Sequence, residues 1–201
     1  MFSKVNVIVK AIYDVAEKKC KDNGYDITIE NTFISKQDQC ILYCRGRSKE
    51  QCIKAGVPKY LIDSLNFDYM IKMDKVVNSL HSIHYEGRAI DIRCDDEKYI
   101  KEVKSIFESY GFTVRYINEY KLHLEIPGHY QNTLKPKLYN PNVLNAIKNV
   151  FNKILNKKLI IDGIWDEEFT NALVEYKMSN NNICTDLYID TILLKDILRR
   201  L

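Results

Sequence analysis

SIHYEGRAID, Ser82 to Asp91, is the stretch on which the reading of this 201-residue chain turns. His84 and Asp91 stand seven positions apart, with Gly87 between them. A tight turn at Gly87 brings an imidazole back beside a carboxylate on the strand that follows. That strand is written in Arg88–Cys94: Ile90, Ile92 and Cys94 alternate, the period of a half-buried strand. Asp91 therefore points away from the core, with the small Ala89 on the same face. Histidine and aspartate are both ligands for a cation such as zinc.

A later stretch supplies what the first lacks. Lys121–Ile126, KLHLEI, alternates as well. Leu122, Leu124 and Ile126 take the core face, so His123 and Glu125 take the other. Glu119 shares their parity if the strand reaches that far back. Two strands then present His84, Asp91 and His123 to one side. Two imidazoles and one carboxylate leave a tetrahedral zinc with an open fourth position, where the pKa of water falls to about 7. His81, three positions before His84, is a rival ligand.

Ser82, His84, Gly87, Ala89 and Asp91, followed by a later histidine, match a motif S-x-H-x-x-G-x-A-x-D. It resembles that of the zinc peptidases of the D-Ala-D-Ala carboxypeptidase and L-alanyl-D-glutamate endopeptidase superfamily. The hedgehog signalling domain belongs to the same superfamily, and HYEGRAIDI is similar to the hedgehog and phage-enzyme branch. The resemblance covers roughly residues 25 to 127. It implies zinc on His84, Asp91 and His123, and hydrolysis of an amide bond. It also implies a general base shortly before the last histidine ligand, which makes Glu119 the candidate. Glu125 is the reserve, or else orients a ligand from behind.

Phe33, Ser35, Gln39, Leu42, Tyr43, Gly46 and Arg47 fit a further layout of these peptidases, YRS-x-x-EQ-x-x-LY-x-x-GR. Gln39 and Ser82 are accordingly expected at the substrate. The layout departs at Ile34, where the resembling enzymes carry an arginine that contacts substrate and stabilises the oxyanion. Loss of such a donor costs about 3 kcal/mol of barrier. Lys36, Arg45 and His81 are the nearby groups considered as replacements.

The rest of the chain frames these stretches. Val5, Val7, Ile8, Ile12, Val15 and Ala16 form a helical stripe over residues 4–22, stopped by Gly24. Tyr25–Phe33 alternates as a strand. Ser35 opens a helix that ends at Gly46, Ser48–Gln51 reads as a capping box, and Pro58 opens another helix to about Leu65. Residues 66–80 read as loop, with a short strand near Val76–Val77. Ile100, Val103, Ile106, Phe107 and Tyr110 stripe a helix ended by Gly111, and a strand runs from Phe112 to Ile117. A helix among strands with antiparallel neighbours gives an α+β domain.

Pro127, Gly128, Pro136 and Pro141 punctuate an expected linker, residues 128–141, between a domain at 1–127 and a helical one at 142–201. Val143, Leu144, Ile147, Val150, Phe151, Ile154 and Leu155 stripe one helix; Phe169, Ala172, Leu173 and Tyr176 a second; Leu194, Ile197 and Leu198 a third, capped by Asp190. The run DGIWDEEFTNALVEYK, Asp162 to Lys177, resembles the DGIFG-x-x-T-x-x-A-V-x-x-F-Q of three-helix peptidoglycan-binding domains. Asp166 and Phe169 depart from that pattern. Trp165 either stacks on a sugar or fills the core.

Composition agrees with a folded protein: 46% hydrophobic and 28% charged residues, net charge +3. That charge is too diffuse to argue for nucleic acid. The cysteines form no C-x-x-C pair, and no run reaches the roughly 18 apolar residues of a membrane span. The first residues make a poor signal peptide, so a cytoplasmic, monomeric product with reduced thiols is expected. Together the resemblances imply a zinc-dependent peptidoglycan peptidase of the endolysin kind, released by a separate holin. The competing expectation, prompted by Ile34, is a zinc-containing binding module without turnover.

Overall fold

In chain order the elements are helix α1 (Val7–Asp22), strand β1 (Ile27–Asn31), and helices α2 (Lys36–Cys44), α3 (Lys49–Lys54), α4 (Lys59–Ser64) and α5 (Phe67–Met70). Strand β2 (Ala89–Cys94), helix α6 (Ile100–Ser109), and strands β3 (Thr113–Asn118), β4 (Lys121–Glu125) and β5 (Thr133–Leu134) follow. Helices α7 (Pro141–Ile154) and α8 (Glu167–Ser179), strand β6 (Ile189–Asp190) and helix α9 (Thr191–Leu198) complete the chain. The computed structural model describes residues 5–127, 133–180 and 186–201. The fold is α+β with an antiparallel sheet, and the chain divides into two units, Met1–Thr32 with Gly87–Leu201, and Phe33–Glu86.

The larger unit is built on a four-stranded sheet in the order β1-β2-β4-β3. Alternation decides its two faces. Ile90, Ile92, Leu122 and Leu124 are fully buried on one face, where α1 and α6 pack. Asp91, His123 and Arg115 occupy the other. α1 starts at Asn6, whose side chain accepts from the Ile8 N–H, and stops before Gly24, which takes φ +78°. α6 is entered through a 3₁₀ turn at Glu97–Tyr99 and is left at Gly111.

Gly111 is required twice over. Its φ is +98°, and a Cβ there would lie 2.8 Å from the Val143 backbone. The sheet thus meets the start of α7 at backbone contact distance. Asn140 ties the same junction: its amide donates to the Pro127 carbonyl, and its oxygen accepts from the Asn142 and Val143 N–H groups. Within the expected linker, Thr133–Leu134 pairs with Ile189–Asp190 as a two-stranded sheet. Residues 128–132 and 181–185 lie outside the described residues, and with them His129, Cys184 and Thr185.

α7, α8 and α9 bury the stripes read from their sequences, except that Ile154 and Leu155 at the end of α7 are only partly buried. Phe151 stacks on Phe169 and meets Tyr176 at a tilt, and α9 packs on α1 with a Lys195–Asp14 ion pair at 2.6 Å. One hydrophobic cluster runs from Val5 through the sheet to Leu198. Trp165 packs edge-on against Phe169 and donates to Thr170, so it is half-buried structure. Lys148 is fully buried, and its ammonium is met by Asp162, Asp166 and the Ile160 carbonyl, which shapes the Asp162–Asp166 turn.

The smaller unit has its own cluster of Cys44, Cys52, Val57, Leu61, Ile62 and Met70. Ser35 caps α2, and the Ser48–Gln51 capping box starts α3. The expected strand at Val76–Val77 is absent; a one-turn helix, α5, and an irregular segment stand in its place. The reason is that side chains take the carbonyls there. Arg47 donates to the Val77 carbonyl and Gln39 to that of Ser79, leaving no ladder to build. Among the described residues no helix is long and apolar enough to cross a membrane.

Candidate metal centre

Strand register sets the first part of the site. Asp91 of β2 lies opposite His123 of β4, and His123 lies opposite Arg115 of β3. Directly opposed residues share a face, so the three form a row across the sheet. Asn31 of β1, opposite Asp91, extends it. The bulge at Ile29–Asn31 admits the extra residue Glu30, which pairs with Lys121 at 2.7 Å.

Side chains link this row. His123 Nδ1 lies 2.8 Å from Asp91 Oδ1, and its Nε2 lies 3.2 Å from Glu125 Oε2. Arg115 Nη2 donates to Glu125 Oε1 at 3.0 Å. The His123, Asp91 and Glu125 side chains are only 19%, 18% and 11% exposed. Burial by itself disfavours an imidazolium. The Asp91 and Glu125 carboxylates outweigh it and hold the His123 pKa above the ordinary histidine value.

The turn before β2 shapes the other histidine. Gly87 takes φ +70°, as the tight turn requires, and its carbonyl accepts from the Asn6 N–H. The Ser82 hydroxyl accepts from the backbone N–H of His84 at 3.3 Å, and His84 is buried. Ser82 therefore shapes the turn that carries a ligand candidate. His84, Asp91 and His123 each offer one ligand atom and make a group that could hold a metal ion. The donor set, two imidazole nitrogens and a carboxylate oxygen, fits zinc. His81 is exposed and bonds the Tyr85 hydroxyl.

The remaining candidates fall as follows. Glu119 is exposed in the two-residue turn between β3 and β4, beyond Lys121, which is itself two strand residues from His123. At about 3.3 Å per strand residue, the turn lies well along the sheet from that imidazole. Of the two glutamates, Glu125 is the one that reaches it. Gln39 is buried, with its amide on the Ser79 carbonyl, where it positions the 73–79 segment. Sequence reasoning passed over Arg115. The alternation around buried Val114 was the available signal, since it turns Arg115 to the face of His123.

Neither a protein-family model, nor a curated protein, nor a solved structure matches this chain.

Proposed function

We propose that His84, Asp91 and His123 hold a zinc ion and that this centre hydrolyses an amide bond in the stem peptide of peptidoglycan, between L-Ala and D-Glu or at a D-Ala bond. The observation that carries the metal part is the Asp91–His123 pair, set side by side by the register of β2 and β4 and almost closed to solvent. The peptidase part draws on the resemblance of residues 25–127, and the wall as target on that of Asp162–Lys177.

Zinc held there would polarise a carbonyl and lower the pKa of water toward 7. The protein's own groups have separate tasks. Asp91 supplies the anionic ligand. Glu125 fixes the His123 ring through its contact with Nε2, and Arg115 fixes Glu125. Ser82 sets the turn carrying His84. The helices of residues 142–201 would hold the wall and raise the local substrate concentration. The enzyme would act as an endolysin, reaching the wall after release from the infected cell.

A second reading, a zinc-containing wall- or protein-binding module of hedgehog-like fold without turnover, is favoured by a specific arrangement. Glu119 stands in an exposed turn, Glu125 is engaged by two partners, and Ile34 replaces a cation. Mass spectrometry of purified peptidoglycan incubated with the protein, with and without chelator, decides between them. The peptidase reading expects new stem-peptide fragments that vanish with chelator and whose masses name the bond. Zinc-retaining protein that releases none from several wall chemistries leaves the binding module.

A further inference from the structure

We propose that Arg115 recognises a carboxylate on the peptide bound at the metal centre, an inference that rests on the peptide-hydrolysing reading of that centre. Arg115 stands on β3, an edge strand of the four-stranded sheet, directly opposite His123 and on the same face. Its side chain is 66% exposed, in contrast to the nearly closed side chains of Asp91, His123 and Glu125. One guanidinium nitrogen is anchored on Glu125 at 3.0 Å. An anchored but solvent-facing guanidinium is aimed rather than free, and its planar fork matches a carboxylate with two parallel hydrogen bonds.

Lys121 and Arg93 on the same face are paired with Glu30 and Asp95, so the charge balance along the Asp91–His123–Arg115 row gives the ligand's sign. A divalent cation beside neutral imidazoles is balanced by the Asp91 and Glu125 carboxylates. Arg115 then remains as the positive group on the row, and it meets solvent. With its guanidinium mostly in solvent, the Arg115–Glu125 pair adds little stability by itself, and its effect here is to orient Arg115. The ligand chemistry is a peptide whose free carboxylate lies next to the bond presented to the metal. The amide form of the same peptide offers Arg115 no charge.

The test uses zinc-loaded full-length protein and two synthetic stem peptides that differ only in a free carboxylate or a primary amide beside the scissile bond. Dissociation constants and kcat/KM are measured for wild type, Arg115→Gln and Arg115→Lys, with zinc content and thermal melts as controls. Wild type is expected to favour the carboxylate peptide about ten- to hundredfold. Arg115→Gln, compared at saturating zinc because Arg115 also steadies Glu125 behind His123, is expected to bind both peptides as wild type binds the amide. Arg115→Lys keeps part of the preference, since it retains charge but lacks the fork. An intact preference in Arg115→Gln, or no preference in wild type, overturns the inference. Binding preference erased by Arg115→Gln without cleavage of either peptide upholds Arg115 and removes the peptidase reading. Cleavage with a preference indifferent to Arg115 does the reverse.

Discussion

His123 is gripped by a carboxylate at each ring nitrogen, and both contacts predict behaviour. Its pKa is raised by the Asp91 and Glu125 carboxylates, so a proton on the ring competes with a metal over a wider pH range than at an ordinary histidine. Zinc affinity should therefore climb as pH rises from below about 6.5 through the raised His123 value. The same proton stabilises the metal-free fold in the opposite sense. Its contribution is complete below about 6.5, the unfolded pKa, and fades as pH rises through the folded one. Competitive zinc titration at pH 6 and pH 8, with melts of the chelated protein, checks both signs; affinity flat across that interval would contradict the ring's assignment. The two glutamates should separate as cleanly. Glu125→Ala should weaken zinc binding about ten- to hundredfold, as loss of a partner behind a ligating histidine does. Glu119→Ala, altered in an exposed turn, should leave it within about twofold. Equal losses from both would place Glu119 nearer the metal than the hairpin allows.

At the scale of elements, the sheet stands or falls on alternation and on its glycine-ended connections. Gly111→Ala must accept φ +98° and a contact with the Val143 backbone at 2.8 Å. Strain at the backbone alone predicts a loss of about 1–3 kcal/mol, read from the denaturant midpoint. An unshifted midpoint would mean that α7 yields easily there. The same elements show what a sequence can reveal. The faces of Asp91, His123 and Glu125 were legible, because residues 90–94 and 121–126 alternate between apolar and polar and the apolar face is buried. Register was not legible. Which residue faces His123 depends on a two-residue turn at Glu119–Tyr120 and a bulge at Tyr116–Asn118, and neither leaves a periodic mark. Glu119 was singled out by the resemblance, and its parity with His123 holds only if the strand is extended back past Lys121, where the structure has a turn. Val76–Val77 looked like a strand because apolar neighbours do not show that Arg47 and Gln39 claim the carbonyls around them.

At the scale of the whole molecule, the C-terminal helices share their core with the sheet-bearing unit. Leu134, Val143, Leu144, Ile147, Ile197 and Leu198 belong to the hydrophobic cluster that holds Ile12, Ile92 and Phe107. A chain ended at Pro127 would expose that surface, and α1 would lose α9 and the Lys195–Asp14 pair. Such a truncation should give no cooperative melt, whereas a soluble 1–127 fragment melting like the full chain would show a separable domain. A wall-binding role for residues 142–201 would then be exercised by helices that also complete the fold. The claim on which the functional account stands is that His84, Asp91 and His123 form one metal centre. Elemental analysis of purified, zinc-equilibrated and desalted protein tests it most directly, alongside His84→Ala, Asp91→Ala and His123→Ala. The account predicts one zinc per wild-type chain and a large loss in each variant that still melts cooperatively. A metal-free wild type, or variants that keep a full zinc, would contradict it.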